Sequence, residues 1–476
     1  MEDKSTIASK KRKLIYDVLY GFVQLTPVEW EIIQTPFYQR LRWIKQLGFS
    51  QYTYPGAEHS RYGHSIGVLN NAQAILESIG KSPDIKKLVK GELDSTDLYE
   101  QQCIRISALI HDIGTFPFSH TTENAYIRYG ETSQKSETKL DNHEHLGSFI
   151  IKRTDYEGGI TFILKKYGID PQRISDLVKG IDKNLLANQI LHSQIDCDRM
   201  DYLLRDAHYT GLKYGAYDRD YLLNHFHAVD VGGQEVLAIH EKALNCVQDF
   251  LISRFAWYSQ VVRSARGAKF DAIAEEIALY LLNENLMFKY SDLLSFIEKD
   301  PFKFFAFNDS YFLSLIQNLL TDGKLDKNLR IKGMVESLLF SKSPVSIKSD
   351  VFQQKILDQN NSSENAKILK SARDKFQELS RYLDKHGNEN DWIIEDLPKK
   401  DIYLVKSEKR VIKGMTQGNV LLERDPVKIL LKSGNLILLS SVEHHLISHL
   451  NKSSAFIPHV FCSPGAYDVL EKSGLL

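Results

Sequence analysis

Apolar residues recur at spacings of three and four from about residue 27 to 290. Examples are Ile104, Ala108 and Leu109, and again Ile273, Ile277 and Leu281 in FDAIAEEIALYLL. That is the period of helices that each bury one face. Near residue 400 the period changes. DIYLVKS, VKILLKS, NLILLSS and AFIPHVF are short, β-branched and partly alternating, and Ser433, Gly434 and Asn435 between two of them read as a turn. Two stretches rich in charge, Ser and Asn, 131–142 and 341–365, read as exposed loops or a domain joint. The pattern predicts a mainly α fold, with a helical core over residues 1–290 and a smaller C-terminal α+β lobe over 291–476. It contains no internal repeat and no Gly-rich phosphate loop of either common type.

Composition narrows this picture. A chain of 476 residues with 43% hydrophobic residues can build a substantial core. Its 60 Lys and Arg nearly cancel its 61 Asp and Glu, so no global charge draws it to nucleic acid or membrane, and phosphate binding must be local. Nucleic acid stays open as a partner; a membrane does not, since no apolar stretch approaches the ~18 residues a span requires. The basic run Lys10, Lys11, Arg12 and Lys13 reads as a solvated turn. Cys103, Cys197, Cys246 and Cys462 are far apart with no CxxC pair, which argues against a disulfide framework or a thiolate zinc site. Together with the lack of a signal peptide, this leads to the expectation of a reducing, cytoplasmic compartment.

Two segments carry candidate chemistry. In ALIHDIGTFPFSH (108–120) an apolar helix delivers His111 and Asp112, and Gly114 and Pro117 then end it, so the pair sits at the rim of a buried helix. An imidazole nitrogen beside a carboxylate suits a divalent ion, although a lone His-Asp pair is more often a cap or surface ion pair. In IDCDRMDYLLRDAHYTG (195–211), Asp198, Tyr202 and Asp206 are spaced by four and share one helical face, able to line a cleft wall. Asp201 and Arg205 read there as a solvated face.

These segments, together with TPFYQRLRWIKQLG (35–48), YPGAEHSRYGHSIGV (54–68) and NHEHLGS (142–148), resemble the deoxynucleoside triphosphate triphosphohydrolase branch of the HD-domain metal-dependent phosphohydrolases. That branch takes in bacterial dNTPases and the human SAM-and-HD-domain enzyme. The resemblance covers roughly residues 15–280. It implies an HD-domain helical core in which His64, His111, Asp112 and Asp198 ligate one divalent metal ion (Mn, Fe, Zn, Ni or Mg), with a second Mg ion accompanying the substrate phosphates. It implies hydrolysis at the α-phosphorus to deoxynucleoside and tripolyphosphate. His120 matches the histidine near the scissile ester, Glu123 its acidic partner, and His143 the histidine of the family's HE dipeptide. Arg61, Arg199 and Arg254 match phosphate-binding or pocket positions, Gln46 and Leu47 the pair beside the sugar, and Asp206 the carboxylate accepting from the 3′-hydroxyl; Tyr202 lines the same wall. His59 reads as structural and His145 as loop surface. Family members assemble as dimers or tetramers, some with a nucleotide effector, which makes a homo-oligomer the expectation.

Three departures from the family pattern stand out. Thr115 occupies the middle histidine of HDxxHxPFSH, and threonine is no acid near neutral pH. Val262 stands where a tyrosine packs on the deoxyribose, and Ser264 and Ala265 where a His-Lys pair follows. Two other readings therefore stay open: an HD phosphodiesterase or nuclease acting on a cyclic or single-stranded nucleotide, and a nucleotide-sensing regulator with weak catalysis. FAWYS (255–259) supplies either core or stacking aromatics.

Overall fold

The chain enters the fold as a hairpin. Strands β1 (Lys13–Asp17) and β2 (Gly21–Leu25) pair antiparallel from Lys13 opposite Leu25 to Asp17 opposite Gly21. Gly21 takes the turn's left-handed conformation (φ 70°), and Asp17 Oδ1 accepts the backbone N–H groups of Leu19 and Tyr20. The computed structural model describes residues 13–81, 87–88, 95–132, 142–215, 217–358, 361–398, 402–403, 420–442, 446 and 453–476. Lys10, Lys11, Arg12, most of the 131–142 loop and most of DIYLVKS lie outside them.

Helix α1 (Pro27–Gln34) starts from a capping box between Thr26 and Glu29. Glu29 is fully buried, and its carboxylate also takes Arg105 Nε at 2.8 Å, an Arg105 terminal nitrogen at 2.7 Å and Gln102 at 2.8 Å. The helical body follows as α2 (Arg61–Ser78), α3 (Thr96–Ile110), α4 (His120–Thr132), α5 (His143–Arg153), α6 (Cys197–Thr210), α7 (Leu244–Trp257) and α8 (Ala265–Asn283). Helix α2 packs on both α3 and α6, and α4 packs on α8. Ile66, Leu69, Ile106, Leu109, Leu203 and Ile277 all lie in one buried cluster, the face that the three-four spacing marks.

The boundary expected at residue 290 falls inside this core. Leu293, Phe304 and Phe307 belong to the same cluster, as do Phe312 and Ile316 of α9 (Asp309–Thr321). A separate, smaller core gathers Ile347, Phe352, Leu357, Phe456 and Val460 around α10 (Ser362–His386). The short C-terminal strands divide between the two. Strands β3 (Phe226–Val231) and β4 (Gln234–His240) form a hairpin, and β5 (Lys428–Leu430) adds to β4 in parallel, with β6 (Leu436–Leu438) antiparallel beyond it. The sheet order is β6-β5-β4-β3. Gly434 (φ 84°) makes the turn between β5 and β6, as the Ser-Gly-Asn signal predicts. VKILLKS and NLILLSS thus complete a sheet on the helical body. Alternation identifies a strand but not its partner, and Ile429 reaches the main core only through this pairing.

The four cysteines are buried free thiols, and among the described residues no helix is long and apolar enough to cross a membrane. Truncating Glu29 to Ala would leave Arg105 buried without its counter-charge. The expected loss is about 3–5 kcal/mol of unfolding free energy, read by urea denaturation.

Candidate active site

Three helix ends meet at one point. His64 is the fourth residue of α2, His111 caps the C-terminus of α3 with Asp112 next to it, and Asp198 is the second residue of α6, just inside the Asp196 N-cap. His64 Nε2 lies 3.0 Å from Asp198 Oδ1 and 3.7 Å from Asp112 Oδ2. His111 Nε2 lies 3.5 Å from Asp112 Oδ2 and 3.8 Å from Asp198 Oδ1. The other nitrogen of each ring is engaged: His64 Nδ1 with Asp201 Oδ2 at 2.8 Å, and His111 Nδ1 with the Ala108 carbonyl at 2.9 Å. A carbonyl only accepts, so His111 Nδ1 donates to it, which turns Nε2 toward the carboxylates. That Nε2 is buried and meets no hydrogen-bond partner. The two ring nitrogens and the Asp198 carboxylate lie close enough together to hold one divalent cation of the kind expected from sequence, and Asp112 Oδ2 lies 3.7 Å from His64 Nε2 and 3.5 Å from His111 Nε2.

The local charges agree with such an ion. Burial works to raise the Asp112 carboxyl, but the Arg61 guanidinium and the imidazoles of His111 and His64 hold it well below the usual carboxylate range. Burial likewise opposes ionisation of Asp198, and its hydrogen bond to His64 and that ring's charge bring it below. Burial alone would lower His64; bonds to Asp198 and Asp201 outweigh it and lift the ring to about 10.

Beside this centre stands a second group. The Phe116–Ser119 turn carries two consecutive left-handed residues, Phe118 (φ 51°) and Ser119 (φ 58°), a conformation costing about 1–2 kcal/mol per non-glycine residue. Four side-chain contacts hold it. Asp309 Oδ1 accepts Phe118 N–H at 2.6 Å, Ser119 Oγ donates to the Lys45 carbonyl at 2.6 Å, Arg61 Nε reaches Ser119 Oγ at 3.0 Å, and Thr122 Oγ1 bonds the Pro117 carbonyl. The turn releases His120 at the start of α4 with its side chain 65% exposed. Glu123 then bridges two imidazoles, taking His120 Nδ1 at 2.7 Å and His143 Nδ1 at 2.6 Å, and accepts the His143 backbone N–H at 2.8 Å. Gly114 permits this approach: a Cβ there would lie 2.3 Å from the Gly147 nitrogen and the His143 carbonyl. Burial pushes the His143 ring down, but the charge of Glu123 and its hydrogen bond prevail and raise it to about 8.

The remaining candidates ring these two groups. Arg61 donates to Asp112 Oδ2 at 2.7 Å and is buried, so it braces the carboxylate rather than standing free as an arm. Arg199 is paired with Asp196, and Arg254 donates to the Gln194 carbonyl at 3.2 Å. Burial and then the neighbouring Arg199 cation push Arg254 down to about 10, a mutual repulsion that an anion between them would relieve. The Tyr202 ring packs 4.4 Å from Trp257. Asp206 is fully buried with both oxygens engaged, one by His59 Nε2 at 2.7 Å and one by Trp257 Nε1 at 2.8 Å. Gln46 is buried with Oε1 unpartnered, and Leu47 beside it is half-buried. Thr115 Oγ1 is buried without a partner, while its carbonyl accepts Arg40 at 2.7 Å.

Sequence reading misses two of these residues and misplaces a third. Asp201, with its neighbour Arg205, reads as a solvated face but is fully buried against His64; charge at helical spacing cannot distinguish an ion-paired interior from a wet surface. Asp309 lies 191 residues beyond the backbone N–H it binds, with no local signal. His145, read as loop surface, is half-buried in the first turn of α5, 2.7 Å from the Tyr290 hydroxyl.

Comparison with known proteins agrees with this geometry. Residues 61–206 match the HD domain family, a span holding all four metal-side candidates. Over 312 residues the chain is 31% identical to uncharacterized protein MG461 of Mycoplasma genitalium, covering 65% of each. Over 291 residues it is 25% identical to the human deoxynucleoside triphosphate triphosphohydrolase SAMHD1, covering 56% of this chain and 44% of that one. The chain therefore spans less than two thirds of the length of either relative. A phosphohydrolase crystal structure from Bacteroides thetaiotaomicron superimposes with a TM-score of 0.64, covering 95% of this chain and all of that one; at 19% identity the likeness is one of fold.

Glu123→Gln would remove the charge that keeps His143 protonated. Its titration, followed by imidazole NMR, should fall from about 8 toward or below the ordinary ~6.5. Because the folded value is raised, the stability this pair contributes is full below pH ~6.5 and is lost as pH rises through about 8.

Proposed function

We propose that this chain, which carries an HD domain over residues 61–206, is a metal-dependent phosphohydrolase of nucleotides, and that its substrates are deoxynucleoside triphosphates cut at the α-phosphorus. The observation that carries the reading is the buried, unpartnered Nε2 of His111 facing His64, Asp112 and Asp198. His64, His111, Asp112 and Asp198 would hold a divalent ion, which would supply Lewis-acid chemistry toward a phosphoryl oxygen and water.

The chain's own groups supply the rest. His120 is exposed toward solvent, and the hydrogen bond from its Nδ1 to Glu123 leaves Nε2 free to give a proton to the leaving 5′-oxygen. Glu123 orients that ring and holds His143 charged near neutral pH, adding positive charge where the phosphate must sit. Arg199 and Arg254, close enough to repel one another, gather the polyphosphate, and release of Arg199 from Asp196 accompanies its arrival. Arg61 keeps Asp112 ionised and fixed. Gln46 offers an unused acceptor to a sugar hydroxyl. Asp206 can accept from the 3′-hydroxyl only by exchanging His59 or Trp257 for it. The human relative, a deoxynucleoside triphosphate triphosphohydrolase, supports this choice of substrate.

A single-strand groove is less favoured, because the FAWYS aromatics are occupied: Trp257 lies on Tyr202, while Phe255 and Tyr258 pack against Ala455 and Ile457. Incubation with Mn2+ and each dNTP and NTP, alone and mixed, should yield nucleoside and tripolyphosphate by chromatography. Asp112→Ala should abolish turnover, and His120→Ala should lower kcat by about 10²–10⁴-fold. Diester cleavage in place of triphosphate hydrolysis, or metal binding without any product, would sink this assignment.

A further inference from the structure

A line of buried charges runs from the N-terminal hairpin to the metal-side histidine. Asp17, the last residue of β1, accepts Arg205 Nη2 at 2.9 Å. Arg205 Nε donates to Asp201 Oδ2 at 2.8 Å and Nη2 to Asp201 Oδ1 at 3.0 Å. Asp201 Oδ2 in turn lies 2.8 Å from His64 Nδ1. None of the four side chains is more than 5% exposed. Helix α2 is cut to admit the line: a Cβ at Gly67 would stand 1.9 Å from Asp201 Oδ1 and 2.5 Å from Arg205 Nη2. The gap through which its support reaches His64 thus lies three positions, just under one helical turn, further along α2. The Tyr20 ring covers the line from the hairpin side, 5.9 Å from the Arg205 guanidinium carbon.

Asp201 Oδ2 serves two donors at once, the imidazole and the guanidinium. How strongly Arg205 draws on that oxygen therefore decides how much negative charge remains for His64 Nδ1–H, and hence how basic and how firmly oriented Nε2 is. Asp17 is the competitor that draws Arg205 the other way. We propose that Asp17 is a positioning residue of the metal centre, acting through Arg205 and Asp201 on His64, so that a hairpin outside the 61–206 domain is a working part of the site. The inference rests on His64 being a metal ligand.

The test uses the full chain and Co2+ as probe, with affinity from chelator competition and geometry from the visible absorption band. Asp17→Asn keeps the acceptor for the Leu19 and Tyr20 N–H groups but removes the charge facing Arg205. Cobalt affinity should fall about tenfold or more and the band should shift, with thermal unfolding of the metal-free chain little changed. Asp17→Glu should restore most of both, and Phe22→Ser, on the exposed outer face of the same hairpin, should alter neither. Wild-type affinity and spectrum in folded Asp17→Asn would overturn the proposal, as would an equal loss in Phe22→Ser, which would mean that the hairpin acts by stability alone. If Asp17→Asn does not fold, Arg205→Lys, which keeps the charge but loses the planar fork, must show the same cobalt shift; an unshifted spectrum overturns the proposal equally. A wild-type chain that takes up no cobalt overturns the ligand role of His64 and the relay with it.

Discussion

The contact between His64 Nδ1 and Asp201 determines which nitrogen of a fully buried ring faces Asp112 and Asp198, and the neighbouring packing follows from it. Carboxylates withdrawn from water are tolerable only with matched positive charge and satisfied lone pairs. Arg61 answers Asp112, and Arg205 answers Asp201. Gly67 lets α2 approach the Asp201 and Arg205 side chains of α6, and Gly114 lets the end of α3 approach α5.

The two chemical groups of the site depend on each other through one guanidinium. Arg61 donates to the metal-side Asp112 and to Ser119 in the turn that presents His120. A displacement on either side is therefore felt on the other, and Glu123 closes the circuit by taking both His120 and His143. Buried networks of this kind are rigid because each member's geometry is set by at least two others.

Much of this was legible from residues alone, and the reason is local. His111 and Asp112 adjoin at a helix end signalled by Gly114 and Pro117, so capping places that pair at a rim, whereas His64 and Asp198 stand out as ligand candidates through the family resemblance, each in the first turn of its helix. The departures at Thr115 and Val262 were equally visible as single letters. What escaped is non-local. Asp201 and Arg205 have the spacing of a wet amphipathic face, and only the proximity of α2 reveals them as interior. The parallel docking of Lys428–Leu430 on β4 has no trace in a three-residue strand, and the core extends past residue 290 because Phe304, Phe307 and Phe312 find partners far upstream.

The left-handed pair Phe118 and Ser119 is held in part by a carboxylate near residue 309. Chain growth on a ribosome is directional, so for the time it takes to make some 190 further residues the turn lacks one of its clamps and His120 has no reason to keep its aim. The metal-side quartet is complete once Asp198 has emerged. The order of synthesis thus brings the four metal-side candidates together in the chain before the last clamp of the turn that aims His120 exists.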